Sequence, residues 1–285
     1  MYRGKSEGKD CYQVFSPGMD HSLEYLELEE DLRKAIECGE FRVYYQPQLL
    51  LSTGETVGYE VLVRWEHPER GLLGPSEFVP LAEETGMIIP LGRWVLTEAC
   101  RQGRILREEI PPGTGPGTPS RMSVNLSVRQ FHYPEFVEDV SAILAETGMD
   151  PPDLALEITE SVKMEKGPGA VGILQALKGL GVMLVMDDFG TGYSSFTNLK
   201  TFPLDVLKID RSMVEGVDRD PENRALVLAS TGLAHVLGLD VVAEGVETAG
   251  ELDELRSMGC DLTQGNYWQR LCSAETMTEL LGMGF

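Results

Sequence analysis

"FRVYYQPQLLL" (Phe41–Leu51) and "TVGYEVLVRW" (Thr56–Trp65) are two runs rich in β-branched and aromatic residues, parted only by "STGE". Such runs read as strands. A parallel crossover needs about a dozen residues or more, so a link this short makes the pair an antiparallel hairpin. The rest of the chain repeats a different unit. Strand candidates follow at "MSVNLSV" (Met122–Val128), "LALEIT" (Leu154–Thr159), "VMLVMD" (Val182–Asp187), "DVLKID" (Asp205–Asp210), "DVVAEG" (Asp240–Gly245) and "DLTQG" (Asp261–Gly265). Amphipathic segments such as "PEFVEDVSAILAETG", "GAVGILQALKGLG", "NRALVLASTGLAHVLG" and "AGELDELRSMGC" separate them, several ending in glycine as a helix C-cap does. Eight strand candidates alternating with helices predict an α/β protein, a (β/α)8 TIM-like barrel with an antiparallel first strand. "PPGTGPGTPS" (Pro111–Ser120) reads as a surface insertion, and no internal repeat is visible.

Composition narrows the partners. Acidic residues outnumber basic ones 46 to 24, for a formal charge of -22. That balance argues against duplex nucleic acid or an anionic membrane surface as partner, since both need a basic face. The five cysteines are scattered without a CxxC pair and read as reduced, buried thiols of a cytoplasmic protein. The four histidines show no metal-ligand spacing. No apolar run approaches the ~20 residues of a membrane span.

The ends of the strand candidates carry the chemistry. Glu60 and Arg64, Asn125, Glu157, Asp187 and Asp188, Lys208, Glu244 and Gln264 each follow the apolar part of a strand. In a barrel these ends meet on one face, where active sites are built. Taken singly, each has an ordinary reading. A carboxylate after a strand is commonly a helix cap, Lys208 could pair with Asp210 on the surface, and Asn125 with Ser127 could be turn chemistry. Recurrence at the same point of each unit favours one polar pocket instead. Carboxylates and an amide oxygen are hard donors suited to Mg²⁺ or Mn²⁺. The adjacent Asp187 and Asp188 of "VMDDFGTGYSS" (Val185–Ser195) pose a problem of their own. Alternation along a strand separates their side chains unless the chain leaves the sheet there, and their like charges call for a cation.

"YYQPQ", "EVLVRW", "PSEFVPLAEETG", "SVNLS", "LEITES", "DDFGTGYSS", "LKIDRSMV" and "VVAEGVET" occur in this order. With these motifs the chain resembles the EAL domain, the family of bacterial cyclic di-GMP phosphodiesterases, from about Leu26 onward. The resemblance implies metal ligands at Glu60, Asn125, Glu157 and Asp187, with Asp188 serving a second ion. It implies that Lys208 holds the attacking water, that Glu244 is required for activity, and that Glu160 steadies the loop Asp188–Ser195. Gln46, Leu62, Arg64 and Gln264 fall on substrate-binding positions. Cyclic di-GMP as substrate, linear pGpG as product, two Mg²⁺ or Mn²⁺ ions and a homodimer are all implied in the same way.

Two motifs depart from the family pattern. Val61 stands where alanine is usual, and alternation turns it away from Glu60, so a packing change with retained metal binding is expected. "QGNYWQRL" (Gln264–Leu271) differs more, at Asn266, Trp268, Gln269 and Leu271, which puts nucleotide contacts in question. Met1–Phe15 resembles the end of a GGDEF (diguanylate cyclase) domain. The expected organisation is therefore a residual GGDEF-like tail over residues 1–20, a helical connector over 21–40 and the barrel over 41–285. A catalytically silent cyclic di-GMP receptor is the alternative function. A metal-dependent barrel lyase or aldolase is a weaker one, because fold alone says little about chemistry.

Overall fold

The structure, a computed structural model, describes residues 17–109, 121–159, 169–190, 196–268 and 271–277. The GGDEF-like segment, the Pro/Gly insertion and Glu160 lie outside the described residues. Helix α1 (Pro17–Cys38) leads into the hairpin of β1 (Phe41–Leu50) and β2 (Thr56–His67), and a short β3 (Gly71–Leu73) folds back on β2. Helices α2 (Pro75–Thr85) and α3 (Ile88–Glu109) follow, then β4 (Arg121–Leu126), α4 (Val128–Phe131), α5 (Phe136–Thr147) and β5 (Leu154–Thr159). The second half runs α6 (Gly169–Leu180), β6 (Met183–Phe189), α7 (Phe196–Thr201), β7 (Val206–Ile209), α8 (Arg211–Val214) and α9 (Pro221–Val236). It closes with β8 (Asp240–Ala243), α10 (Ala249–Ser257) and β9 (Leu262–Thr263).

The pairing β1–β2–β4–β5–β6–β7–β8–β9–β1 is a closed eight-stranded barrel, with β3 appended outside it. Strand β1 is antiparallel to both neighbours and all other barrel pairs are parallel, as the short hairpin requires. The β1–β9 seam is short, pairing Leu49 with Thr263 and Leu50 with Leu262. Closure abolishes the sheet edge that would otherwise invite pairing with another chain.

Two apolar regions result from strand alternation. The larger lies between sheet and helices and includes Leu156, Ile158, Leu184, Leu207 and Val241. It extends under α1, where Leu32 and Ala35 are buried beside Phe41, Trp65 and Phe78. The smaller joins Ala155, Val185, Val206, Val242 and Leu262. Each of these precedes a polar candidate by two residues and shares its face: Glu157, Asp187, Lys208, Glu244 and Gln264 in turn. The small cluster is thus an apolar plug filling one end of the barrel, with the polar layer set directly upon it. Full burial of each valine or leucine among them contributes about 1.5–3 kcal/mol, which helps offset the cost of desolvating the charges above.

The structure departs from the sequence reading at β3 and at Cys38. The strand β3 is additional to the expected eight. Cys100, Cys260 and Cys272 are buried, but Cys38 at the end of α1 is exposed, because it lies on the solvent side of a helix that docks through Leu32 and Ala35. No described helix is long and apolar enough to cross a membrane.

Candidate active site

Lys208 on β7 is the centre of the polar layer, with a side chain only 1% exposed. Its Nζ lies 2.6 Å from Glu244 Oε1, 2.7 Å from Glu157 Oε2, 3.2 Å from Asp187 Oδ1 and 3.4 Å from Glu60 Oε2. The four carboxylates come from β2, β5, β6 and the end of β8, so barrel closure is what assembles them. A surface pair of Lys208 with Asp210 is ruled out by this burial; Asp210 instead caps α8, accepting from the Ser212 backbone N–H. Asn125 on β4 is in register with Glu157 and donates from Nδ2 to Glu60 Oε1 at 2.7 Å. Its neighbour Ser127 caps α4, so the turn chemistry and the site coexist in one motif.

The paired aspartates are accommodated without the chain leaving the sheet. Strand β6 continues to Phe189, but between Met186 and Phe189 it holds one residue more than β7 does between Leu207 and Ile209. This is a β-bulge, which suspends alternation and re-aims a side chain. Asp188 sits in the bulge with φ 55°, and no other described non-glycine residue has positive φ. Strained backbone of this kind costs about 1–3 kcal/mol and concentrates at functional sites. The bulge brings Asp188 to the same cavity as Asp187.

That cavity, of about 320 Å³, opens above the cluster and is lined by Gln46, Glu60, Leu62, Asp187, Asp188, Arg211, Glu244, Gly245, Gln264, Gly265 and Asn266. Leu62 also borders an adjoining, more apolar cavity of about 380 Å³ between β2, β4, α2 and α3. Arg64 borders neither; it is half-buried and donates from Nη1 to its neighbour's carbonyl, that of Val63. Gln264 borders the cavity with its amide fully engaged, donating to Gln46 Oε1 at 2.9 Å and to Glu60 Oε2, and accepting from Gln48 at 3.0 Å. It therefore holds Glu60 in place across the barrel seam. Of the unusual residues after Gln264, Asn266 lines the cavity, whereas Trp268 packs near Gly54 on the hairpin. Gln48 and Arg211 were not singled out from the sequence. The signals were there: Gln48 shares a face with Gln46 two residues away, and Arg211 follows directly on Lys-x-Asp.

Burial and like charge dominate the electrostatics of the cluster. Burial drives the Glu157 carboxyl well above the usual range, Lys208 opposing and Glu60 and Asp187 reinforcing. Burial likewise pushes Glu244 up to about 7, against the pull of Lys208. Asp188 is raised by burial, then by Asp187 and Asp210. Glu60 is lowered: burial opposes its charge, but Lys208, Gln264 and Asn125 together outweigh it. Burial also disfavours the Lys208 ammonium, yet Glu157, Glu244, Glu60 and Asp187 hold its pKa well above the ordinary lysine value. One ammonium is shared by four carboxylates, and Asp188 adds a fifth acid beside them. Glu157 Oε1 and Asp187 Oδ1 are buried without a hydrogen-bond partner, the latter too poorly aligned with Lys208 to be bonded. Asp187, Asp188 and Glu244 each offer an oxygen, all within 4.8 Å of one another. Orphaned buried oxygens in an anionic, all-oxygen cluster fit hard divalent cations.

Fold and site together define an eight-stranded barrel carrying, at the C-terminal ends of its strands, a carboxylate cluster whose donors could hold a cation, the position of barrel active sites. The EAL domain pattern matches residues 29–270, and the chain belongs to that family. It is 40% identical over 278 residues to the bifunctional diguanylate cyclase/cyclic di-GMP phosphodiesterase MucR of Pseudomonas aeruginosa, spanning 97% of this chain and 40% of that protein. It is 38% identical over 266 residues to the cyclic di-GMP phosphodiesterase PdeR of Escherichia coli, spanning 93% of this chain and 39% of that one. The chain thus spans well under half the length of both relatives. Among solved structures, the PaMucR phosphodiesterase in complex with c-di-GMP superimposes with a TM-score of 0.81 at 41% identity, covering 88% of this chain and 99% of that one.

Proposed function

We propose that this chain is a metal-dependent phosphodiesterase that hydrolyses cyclic di-GMP to linear pGpG. The observation that carries this reading is the buried Lys208 ammonium held by four carboxylates beneath a cavity that also presents Asp188. The names of MucR and PdeR and the ligand of the PaMucR complex support the choice of substrate.

In this reading Glu60, Asn125, Glu157 and Asp187 hold one Mg²⁺ or Mn²⁺, and Asp188 serves a second. Bound ions of this kind lower the pKa of water and stabilise charge on a leaving oxygen. Lys208 orients the attacking water from below and supplies fixed positive charge to the transition state. Glu244, 2.6 Å from Lys208 Nζ, fixes the ammonium on that side. Gln264 and Asn125 keep Glu60 ionised and aimed. Water forms a new P–O bond, one 3′ ester bond breaks, and the proton ends on the departing 3′ oxygen. Glu160 anchors the loop after Asp188, Gln46, Leu62, Arg64 and Gln264 bear on the nucleotide, and the active form is a cytoplasmic homodimer. The kinship of Met1–Phe15 to a GGDEF tail rests on the sequence.

The test is incubation with cyclic di-GMP and Mg²⁺ or Mn²⁺, followed by chromatographic separation of the nucleotides. Linear product that vanishes with a chelator is expected. Tight binding without product under either metal would replace this reading with that of a silent receptor.

A further inference from the structure

Arg211 is the one cationic side chain among the described residues lining the cavity, whose other charged residues are Glu60, Asp187, Asp188 and Glu244. A ligand carrying two phosphates must approach this acidic opening, and Lys208 lies beneath it among four carboxylates, outside the cavity lining. Arg211 is held over the rim by two independent features. Its Nη2 lies 2.9 Å from Glu247 Oε1, and Glu215 lies 3.9 Å from its Nε on the other side. Its stem crosses directly over Gly245, where a Cβ would fall 2.4 Å from Arg211 Cγ. Gly245 also has φ 70°, so any side chain there would both strain the backbone and displace the arginine. The motif that supplies Glu244 thus supplies the seat for Arg211 in its next residue.

Depth separates the two cations. Lys208 is 1% exposed at the floor, whereas the Arg211 side chain is 52% exposed at the mouth. Resting on the phosphodiesterase reading, we infer that Arg211 binds the second phosphate of the cyclic dinucleotide, the one that is not cut, while the scissile phosphate lies at the carboxylate cluster. A guanidinium suits this task, because it meets a phosphate with paired hydrogen bonds and keeps its charge beside acids.

The experiment compares Arg211→Gln with wild type on two diesters: cyclic di-GMP, and bis(p-nitrophenyl) phosphate, which has only a scissile phosphate. Loss of a charge-assisted phosphate contact is expected to lower kcat/KM for cyclic di-GMP by about tenfold to a hundredfold, mainly through KM. The bis(p-nitrophenyl) phosphate rate should change less than threefold, and Arg211→Lys should recover part of the loss. Arg219→Gln, which removes an exposed charge that does not line the cavity, should leave both substrates unaffected. An equal fall on both diesters would mean that Arg211 serves the scissile phosphate or the fold, and would overturn the inference. So would unchanged kinetics on cyclic di-GMP. A wild-type chain that hydrolyses neither diester would remove the phosphodiesterase reading itself, a failure distinct from the other two.

Discussion

Replacing Lys208 with methionine keeps most of the side-chain volume and deletes the charge that four carboxylates share. Its two nearest contacts, at 2.6 and 2.7 Å, are to Glu244 and Glu157, and burial raises both of those carboxyls. Breaking a buried ion pair by removing one partner costs about 3–5 kcal/mol. With a urea slope of about 3 kcal/mol/M for a domain of this size, the midpoint should fall by roughly 1 M or more at pH 8 in chelator. The sign of the pH dependence follows from the raised carboxyls. A group whose folded pKa lies above its unfolded value adds stability below the unfolded pKa and loses it as pH rises through the folded one. Without Lys208 these pKa values climb further, so the penalty should be larger at pH 8 than at pH 5. Divalent metal should return part of it, up to about 2.7 kcal/mol at a hundredfold excess over Kd. Urea titrations of both proteins at pH 5 and 8, with chelator and with Mg²⁺, give the answer. A loss under 1 kcal/mol, or one independent of pH, would refute the picture of a charge shared by buried carboxylates.

Other outcomes follow from the same geometry. In the metal-free wild type, Glu244 with a pKa of about 7 should make stability decline from pH 5 to 8, and the Mg²⁺ concentration for half-maximal turnover should fall over that range; circular dichroism melts and a metal titration of rate measure the two. Asp188→Gly should relieve the positive-φ strain, stabilising the metal-free protein by about 1 kcal/mol while lowering turnover at least tenfold, read by denaturation and rate side by side. Calcium, which accepts looser coordination, should inhibit in competition with Mg²⁺ rather than replace it. Glu160→Ala should leave folding intact and lower turnover most at limiting metal.

The barrel was legible because its deciding features are local. A four-residue link forces the first hairpin, and β-runs alternating with capped amphipathic segments force the rest. The polar layer was legible for a related reason: Glu157, Asp187, Lys208, Glu244 and Gln264 each follow their strand's apolar residue by two. What the sequence hid depends on neighbours. Alternation could not place both Asp187 and Asp188 at the cavity, because the bulge is fixed by the register of β6 against β7. Arg211 looked like an ordinary helix-opening residue, since its seat over Gly245 joins two motifs far apart in the chain. Gln264 reads in sequence as a substrate-binding position, and what the sequence could not show is the bonding of its amide to Gln46, Gln48 and Glu60 across the barrel seam. Cys38 belongs with these, its exposure decided by which side of α1 meets the barrel.

Divalent ions held by the carboxylates around Lys208 are proposed to perform the hydrolysis. Calorimetric Mn²⁺ titration and cyclic di-GMP turnover, measured on the same samples of wild type and Asp187→Asn, test it most directly. The half-saturation points of metal binding and turnover should coincide in wild type, and both signals should be lost in Asp187→Asn. Full turnover in chelator, or undiminished turnover in Asp187→Asn, would contradict it.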